Sequence, residues 1–209
     1  MNRLLPVLCL LIFATSSCAL VGGSVSQKEL AAEYVAVGDA WADMGKYEKA
    51  IGWYEKASQR KEFKNVTRYA LGRMYALSGK WEEAVPRFKV LYEEEPDNYL
   101  VSQAYAYSLV MIGDTEKAFP IYEKNWKDNS SDPTANRNYA EILFLAGRYE
   151  DTLDQIAILR EDFSETDVFK GLDELEKKTV DAQKIEIEGE ETEYTYEEIK
   201  DSAFTRDGL

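Results

Sequence analysis

The chain contains no histidine, and its only two cysteines, Cys9 and Cys18, lie near the N-terminus. The commonest general base and the commonest metal ligand are therefore missing. Beyond residue 18 no disulfide can form and no thiolate is available for catalysis. The remaining polar residues show no spacing typical of a nucleophile with its base, a phosphate-binding loop or a calcium loop. We therefore predict that the protein is not an enzyme and holds no metal or cofactor.

Basic residues are also scarce, since 25 Lys and Arg stand against 39 Asp and Glu and give a net charge of −14. Binding to nucleic acid depends on clustered Lys and Arg that contact phosphates, and no such cluster interrupts the acidic composition. We therefore predict that nucleic acid is not a partner. An anionic membrane surface should likewise repel the folded part of the chain.

The N-terminal apolar run is too short to span a membrane. It extends from Leu4 to Ala14, whereas a spanning helix needs about 20 residues. Arg3 precedes the run and small residues follow it, which is typical of a secretory signal peptide. We predict that residues 1–17 form such a signal peptide.

The sequence Ser17-Cys18 directly after this run resembles the lipobox of bacterial lipoproteins, in which the cysteine is acylated and becomes the new N-terminus. Thr15 departs from that family, which prefers Leu or another aliphatic residue there. The resemblance implies a lipid anchor on Cys18, with acyl chains such as palmitate, at the periplasmic face of the outer membrane of a diderm bacterium. Residues 18–30 would be the lipidated cysteine and a flexible tether. The alternative is ordinary signal cleavage after Ala19.

A seven-residue stretch that begins with glycine occurs four times, each time 34 residues after the last. The four glycines are Gly45, Gly79, Gly113 and Gly147. Each glycine is predicted to end one helix in a left-handed turn, after which a second helix begins. A period of this length indicates stacked two-helix units. We predict four units, over residues 31–64, 65–98, 99–132 and 133–166.

Small residues recur at the eighth and twentieth positions of these units, where the paired helices are expected to approach closely. They are Gly38, Ala50, Gly72, Ala84, Ala106, Ala118 and Ala140, with Thr152 at the last such position. This pattern resembles the tetratricopeptide repeat (TPR) family. The resemblance implies an all-α fold, a right-handed α-solenoid of four helix-turn-helix units. The fourth unit departs most from the family, with Thr152 in place of alanine and Asn136 in place of an aromatic residue.

Residues 167–182 are predicted to form a capping helix that covers the apolar end of the array with Val168, Phe169, Leu172 and Leu175. The tail, residues 183–209, is acidic, and we expect it to be mostly disordered. A marginal hairpin in which Ile185 and Ile187 belong to one strand, and docking of the tail on the repeats, are the alternatives.

In the TPR family, ligands usually lie in a concave groove lined by the first helix of each unit, at positions two, five, nine and twelve. The candidate groove residues of units two to four are Tyr69, Arg73, Gln103, Tyr107, Arg137 and Glu141. Tyrosine and arginine suit recognition because each buries apolar area and keeps a polar tip. Either arginine could hold a carboxylate of a partner. The alternative is that the arginines form solvated pairs with Asp39 and Glu141.

The function predicted from these features is that of a cell-envelope TPR lipoprotein. It would be a scaffold or assembly factor that binds a protein or peptide partner in its groove. The alternative is an accessory protein of a transporter, which would hold a small solute in a pocket lined by the repeats.

Overall fold

The computed structural model describes residues 26–163 and 171–188. Over these residues the chain forms nine α-helices, one short 3-10 helix and no strand. The α-helices are α1 (Gln27–Asp43), α2 (Tyr47–Ser58), α3 (Lys64–Leu77), α4 (Trp81–Glu94), α5 (Tyr99–Met111), α6 (Thr115–Asp128), α7 (Pro133–Leu145), α8 (Tyr149–Asp162) and α9 (Leu172–Glu188), with the 3-10 helix Lys61–Phe63 before α3. No described helix combines the length and apolar character needed to cross a bilayer. The predicted signal peptide and Cys18 lie outside the described residues.

Each helix packs mainly against the helix before it and the helix after it in the chain, from α1 against α2 through to α9 against α8. Four helix pairs therefore stack in sequence order, and α9 packs against the last of them. This arrangement confirms the predicted fold class, an all-α right-handed solenoid.

The corners within the pairs are equivalent. Their glycines Gly45, Gly79, Gly113 and Gly147 have φ angles of 67°, 74°, 80° and 71°. This left-handed region disfavours any residue with a Cβ atom. At the first corner the Lys46 amide donates to the Trp41 carbonyl over 2.9 Å, and the amides of Lys80, Asp114 and Arg148 make the same bond at the other three. This pattern, a Schellman motif, ends each first helix and turns the chain into the second.

The fourth unit packs despite its two unusual residues, because both satisfy their polar groups. The buried Thr152 hydroxyl donates to the Arg148 carbonyl one turn earlier, over 2.8 Å. The buried Asn136 side chain accepts hydrogen bonds of 2.9 Å from Trp126 and from Gln155. The Asn136 amide group also donates to the Ser130 carbonyl over 2.7 Å. Asn136 thus occupies the position of the family's aromatic residue, and its buried side-chain oxygen is hydrogen-bonded.

The first helix begins earlier than predicted. Ser26 caps it, accepting a hydrogen bond from the Glu29 amide at 3.1 Å, while the Ser26 amide donates to the Glu29 carboxylate at 2.7 Å. This reciprocal capping box stabilises the first turn of α1. Residues 27–30, predicted as part of the flexible tether, are therefore helical.

The last helix also differs from the prediction, since α9 covers residues 172–188 instead of 167–182. Leu172 and Leu175 are buried as expected of a capping helix, whereas Val168 and Phe169 lie outside the described residues. A strand at Ile185 and Ile187 is wrong, because both residues belong to the helix. Extending an existing helix adds one hydrogen bond per ordered residue, which is easier than starting a new hairpin. The rest of the predicted tail, residues 189–209, lies outside the described residues.

Candidate binding groove

The first helices of the four units, α1, α3, α5 and α7, carry the predicted groove residues. Residues three and seven apart on such a helix share a face. The second, fifth and ninth positions of units two and three form two such stripes, Val66, Tyr69 and Arg73 on α3 and Leu100, Gln103 and Tyr107 on α5. The groove divides into an open half and a buried half.

The open half consists of Asp39, Val66, Tyr69, Arg73 and Leu100. Asp39 and Arg73 are exposed, Tyr69 is half-buried, and 60% of Val66 and 48% of Leu100 are exposed. Neither Val66 nor Leu100 is among the predicted site residues, although both stand at the second position of their units. Large apolar side chains exposed together beside a charge are typical of an interaction surface.

Tyr69 and Asp39 are each held in place by a contact with the second helix of their own unit. The Tyr69 ring packs edge-on against Phe88, with ring centres 5.8 Å apart. Burial raises the pKa of the Tyr69 phenol, and the nearby Arg73 opposes that shift. Asp39 accepts a hydrogen bond of 2.6 Å from the buried Tyr54 hydroxyl. Burial, together with this hydrogen bond, raises the pKa of Tyr54.

The predicted alternative, in which the groove arginines form solvated pairs with Asp39 and Glu141, is wrong for Arg73, whereas Arg137 forms the predicted pair in a buried position. Among the described ion pairs, none joins Arg73 to Asp39, whose carboxylate instead binds Tyr54. Arg137 does pair with Glu141, its Nε lying 2.9 Å from Oε1, but this pair is buried. The side chains of Arg137 and Glu141 are only 6% and 0% exposed. Since Glu141 already neutralises the Arg137 guanidinium, this arginine is not presented to a partner carboxylate.

The buried half consists of Gln103, Tyr107, Arg137 and Glu141. All four residues are buried, and so is every residue from 101 to 110 in α5 and from 135 to 144 in α7. The sequence predicts one accessible groove along units two to four, whereas the structure buries the candidate residues of units three and four. Of the six candidate residues, the structure leaves Arg73 exposed and Tyr69 half-exposed, on the face that they share with Val66.

Within residues 26–163 and 171–188, no three potential metal-ligating side chains come together. What the open half offers is one guanidinium, one carboxylate, one phenol and two aliphatic side chains, which suits recognition of another chain.

Comparisons with known proteins agree with this architecture. A family model of the tetratricopeptide repeat matches residues 67–98, which cover most of α3 and all of α4. No curated protein matches the sequence.

Several solved structures share the fold. The MamA RS-1 ArsTM double mutant has a TM-score of 0.63 and 15% identity over 79% of this chain and 96% of its own. MamA from residue 41 to the end, from Desulfovibrio magneticus RS-1, has a TM-score of 0.62 and 16% identity, again over 79% and 96%. YrrB, described as a TPR protein with an unusual peptide-binding site, has a TM-score of 0.56 and 20% identity over 75% and 85%. At these identities the likeness is one of fold.

Proposed function

Since the chain is a tetratricopeptide-repeat protein, we propose that it is a non-catalytic scaffold that binds a protein or peptide partner on the open half of its groove. The observation that carries this proposal is the exposure of Val66 and Leu100, together with Arg73, on the first helices of units two and three. Burying these two side chains against a partner would be favourable by about 1–2 kcal/mol each, since they are half-exposed in the free chain.

The charges of the open half indicate what the partner carries. Arg73 is exposed and can form a two-pronged hydrogen bond with a carboxylate. The partner segment should therefore combine aliphatic or aromatic side chains with one acidic group. Because the whole chain carries a net charge of −14, a partner with a net positive charge would associate faster, and the rate would fall with added salt.

The fold shared with YrrB supports the proposal that the partner binds through an extended peptide segment. That protein is described as having a peptide-binding site. Here the side chains of the open half come from three successive first helices, α1, α3 and α5, so a segment lying across the helices would contact all of them. Such a segment binds through a few anchor side chains and leaves the rest of the partner free.

We further propose that the scaffold acts in the cell envelope, attached through acylated Cys18 to the periplasmic face of an outer membrane. The support is the short apolar run followed by Ser17-Cys18. A chain held in this way would present its groove to envelope proteins and would add no enzymatic step to the machine that it helps to assemble.

Affinity capture of the full-length protein from its native membranes tests the proposed groove. The groove variant carries Val66→Asp and Arg73→Glu. The control carries Val90→Asp and Lys89→Glu on the exposed face of α4, the second helix of the same unit. A partner that is retained by the control and lost by the groove variant supports the proposal. An unchanged set of partners for the groove variant overturns it.

A further inference from the structure

The seventeenth position of the repeat holds an aromatic residue in three units and a threonine in one. The four residues are Tyr47, Trp81, Thr115 and Tyr149, each of which is the first residue of the second helix in its unit. Thr115 is therefore an exception in an otherwise aromatic column. The position lies directly after each corner, where neighbouring units meet.

The aromatic rings at this position pack against rings or apolar side chains of their own unit or of the next one. Trp81 packs edge-on against Tyr107 of the following unit, with ring centres 5.4 Å apart. Tyr149 packs against Phe144, with ring centres 5.7 Å apart, and is only 7% exposed. Tyr47 packs against the apolar cluster that joins units one and two. A ring at position seventeen is thus a regular packing element of this solenoid.

Where Thr115 replaces the ring, the structure has a cavity of about 410 Å³ that is open to solvent on one side. Its described lining residues are Thr115, Glu116 and Phe119 from α6 and Leu145, Ala146 and Arg148 from the corner of unit four. Small-ligand pockets commonly have volumes of about 300–1,000 Å³. Phe119 stands where the other units have Ile51, Val85 and Leu153. Its larger ring lies 6.3 Å from the Tyr139 ring and lines the cavity without filling it.

The lining of the cavity favours a flat, neutral ring. Phe119 and Leu145 supply apolar surface, and the Arg148 guanidinium carbon lies 5.3 Å from the centre of the Phe119 ring. A second ring placed beside Phe119 would gain aromatic contact and a cation–π contact with Arg148. Arg148 already pairs with Asp151, and Glu116 lies at the same site. These carboxylates disfavour an anionic ring.

We propose that this cavity, between the corners of units three and four, binds a tyrosine or tryptophan side chain of a partner protein. The ring takes the place that Tyr47, Trp81 and Tyr149 occupy in the other units. The inference rests on the proposed function in one respect, because the aromatic side chain is supplied by the partner protein. Thr115 makes the site specific to this pair of units, because the equivalent space elsewhere is already filled by the chain itself.

The test titrates the full-length protein with the free aromatic probes p-cresol and indole. Binding is detected as chemical-shift changes of the amide NMR signals of Ala146 and Gly147. Saturable shifts are expected with both probes, and shifts at least three-fold smaller with 4-methylcyclohexanol, which lacks the aromatic ring. Thr115→Trp should abolish the shifts and raise Tm by about 2–4 °C by filling the cavity. Thr115→Val, which has nearly the same volume as the native residue, should keep them.

Two outcomes overturn the site: no saturable shift in the native protein, or binding that survives Thr115→Trp. Should Thr115→Trp disturb folding, Ala146→Leu fills the cavity from its opposite wall and must also abolish the shifts. The probes are free molecules, so their binding does not depend on a partner protein. Probe binding in the cavity can therefore be observed even if the affinity capture shows that the groove variant keeps all its partners. That result would remove the proposed groove and keep this site.

Discussion

The ring of Phe88 packs against the backbone of Gly72 so closely that a Cβ atom on residue 72 would lie 2.9 Å from the ring carbon Cε1. Gly38 stands in the same relation to Tyr54 in the first unit, at 2.7 Å. Phe88 is fully buried, so its ring has little room to move aside. In units one and two, the absence of a side chain at the eighth position therefore sets how closely the two helices approach.

Replacing Gly72 with leucine should lower the free energy of unfolding by about 1–3 kcal/mol, because the new side chain overpacks the contact with Phe88. Gly52→Leu is the matched control, since a Cβ atom there has no neighbour within 4 Å. In the interior of α2 this change should leave stability equal or raise it by up to about 1 kcal/mol. Urea denaturation of both variants is the measurement. Equal effects of the two changes would show that the Gly72 contact does not set the helix separation.

Removing the carboxylate of Glu141 should destabilise the protein strongly. Glu141→Gln removes the carboxylate charge that lies 2.9 Å from the buried Arg137 Nε, and disrupting a buried ion pair in this way costs about 3–5 kcal/mol. The comparison is Asp151→Asn, which breaks the ion pair with Arg148, where both side chains are about half exposed. That change should cost about 1 kcal/mol or less. Chemical denaturation at pH 7 checks both values, and a similar small cost for the two variants would contradict the buried position of the pair.

Stability should fall at alkaline pH, partly through Tyr99. Burial, with Asp132 near its hydroxyl, raises the pKa of Tyr99 to about 12, above the value of about 10 in an unfolded chain. The folded state therefore favours the protonated phenol. This stabilisation is complete below pH 10 and is lost as the pH rises from about 10 to 12. Tyr99→Phe should consequently lose less stability than the native protein over that interval, when both are followed by urea denaturation. If both proteins lost the same stability between pH 10 and 12, the Tyr99 phenol would have no role in the loss.

Cys18→Ser should move the protein from the membrane fraction to the soluble fraction. Acylation through more than one chain gives stable anchoring, and serine in this position cannot be acylated in the same way. Cys9→Ser is the control, because Cys9 lies within the predicted signal peptide and would be removed with it. Fractionation followed by intact-mass measurement distinguishes the two. Two results together would rule out this anchor. The Cys18→Ser protein would stay in the membrane fraction, and the native protein would have the mass of an unmodified chain.

Features that depend on local sequence could be predicted best. The left-handed corners follow from the glycine spacing, since a positive φ is a property of one residue and its neighbours. The capping box of Ser26 and Glu29 is equally local, but the prediction of a tether over residues 18–30 missed it. The burial of Arg137 and Glu141 depends on tertiary packing, which residue spacing does not reveal. Likewise Thr115 stands out in the repeat, but only the structure shows that Phe119 leaves the space open.

The exposed valines of unit two allow the proposed binding surface to be tested most directly. Val66 lies on the face of α3 that carries Tyr69 and Arg73, and Val90 lies on the exposed face of α4. The photoreactive residue p-benzoylphenylalanine would be placed at one or the other position in the full-length protein, which would be irradiated in its native membranes and analysed by mass spectrometry. We predict that position 66 cross-links a specific partner protein and that position 90 does not cross-link it. Cross-linking of that partner from position 90 alone, or no specific cross-link from position 66, would contradict binding in the open half of the groove.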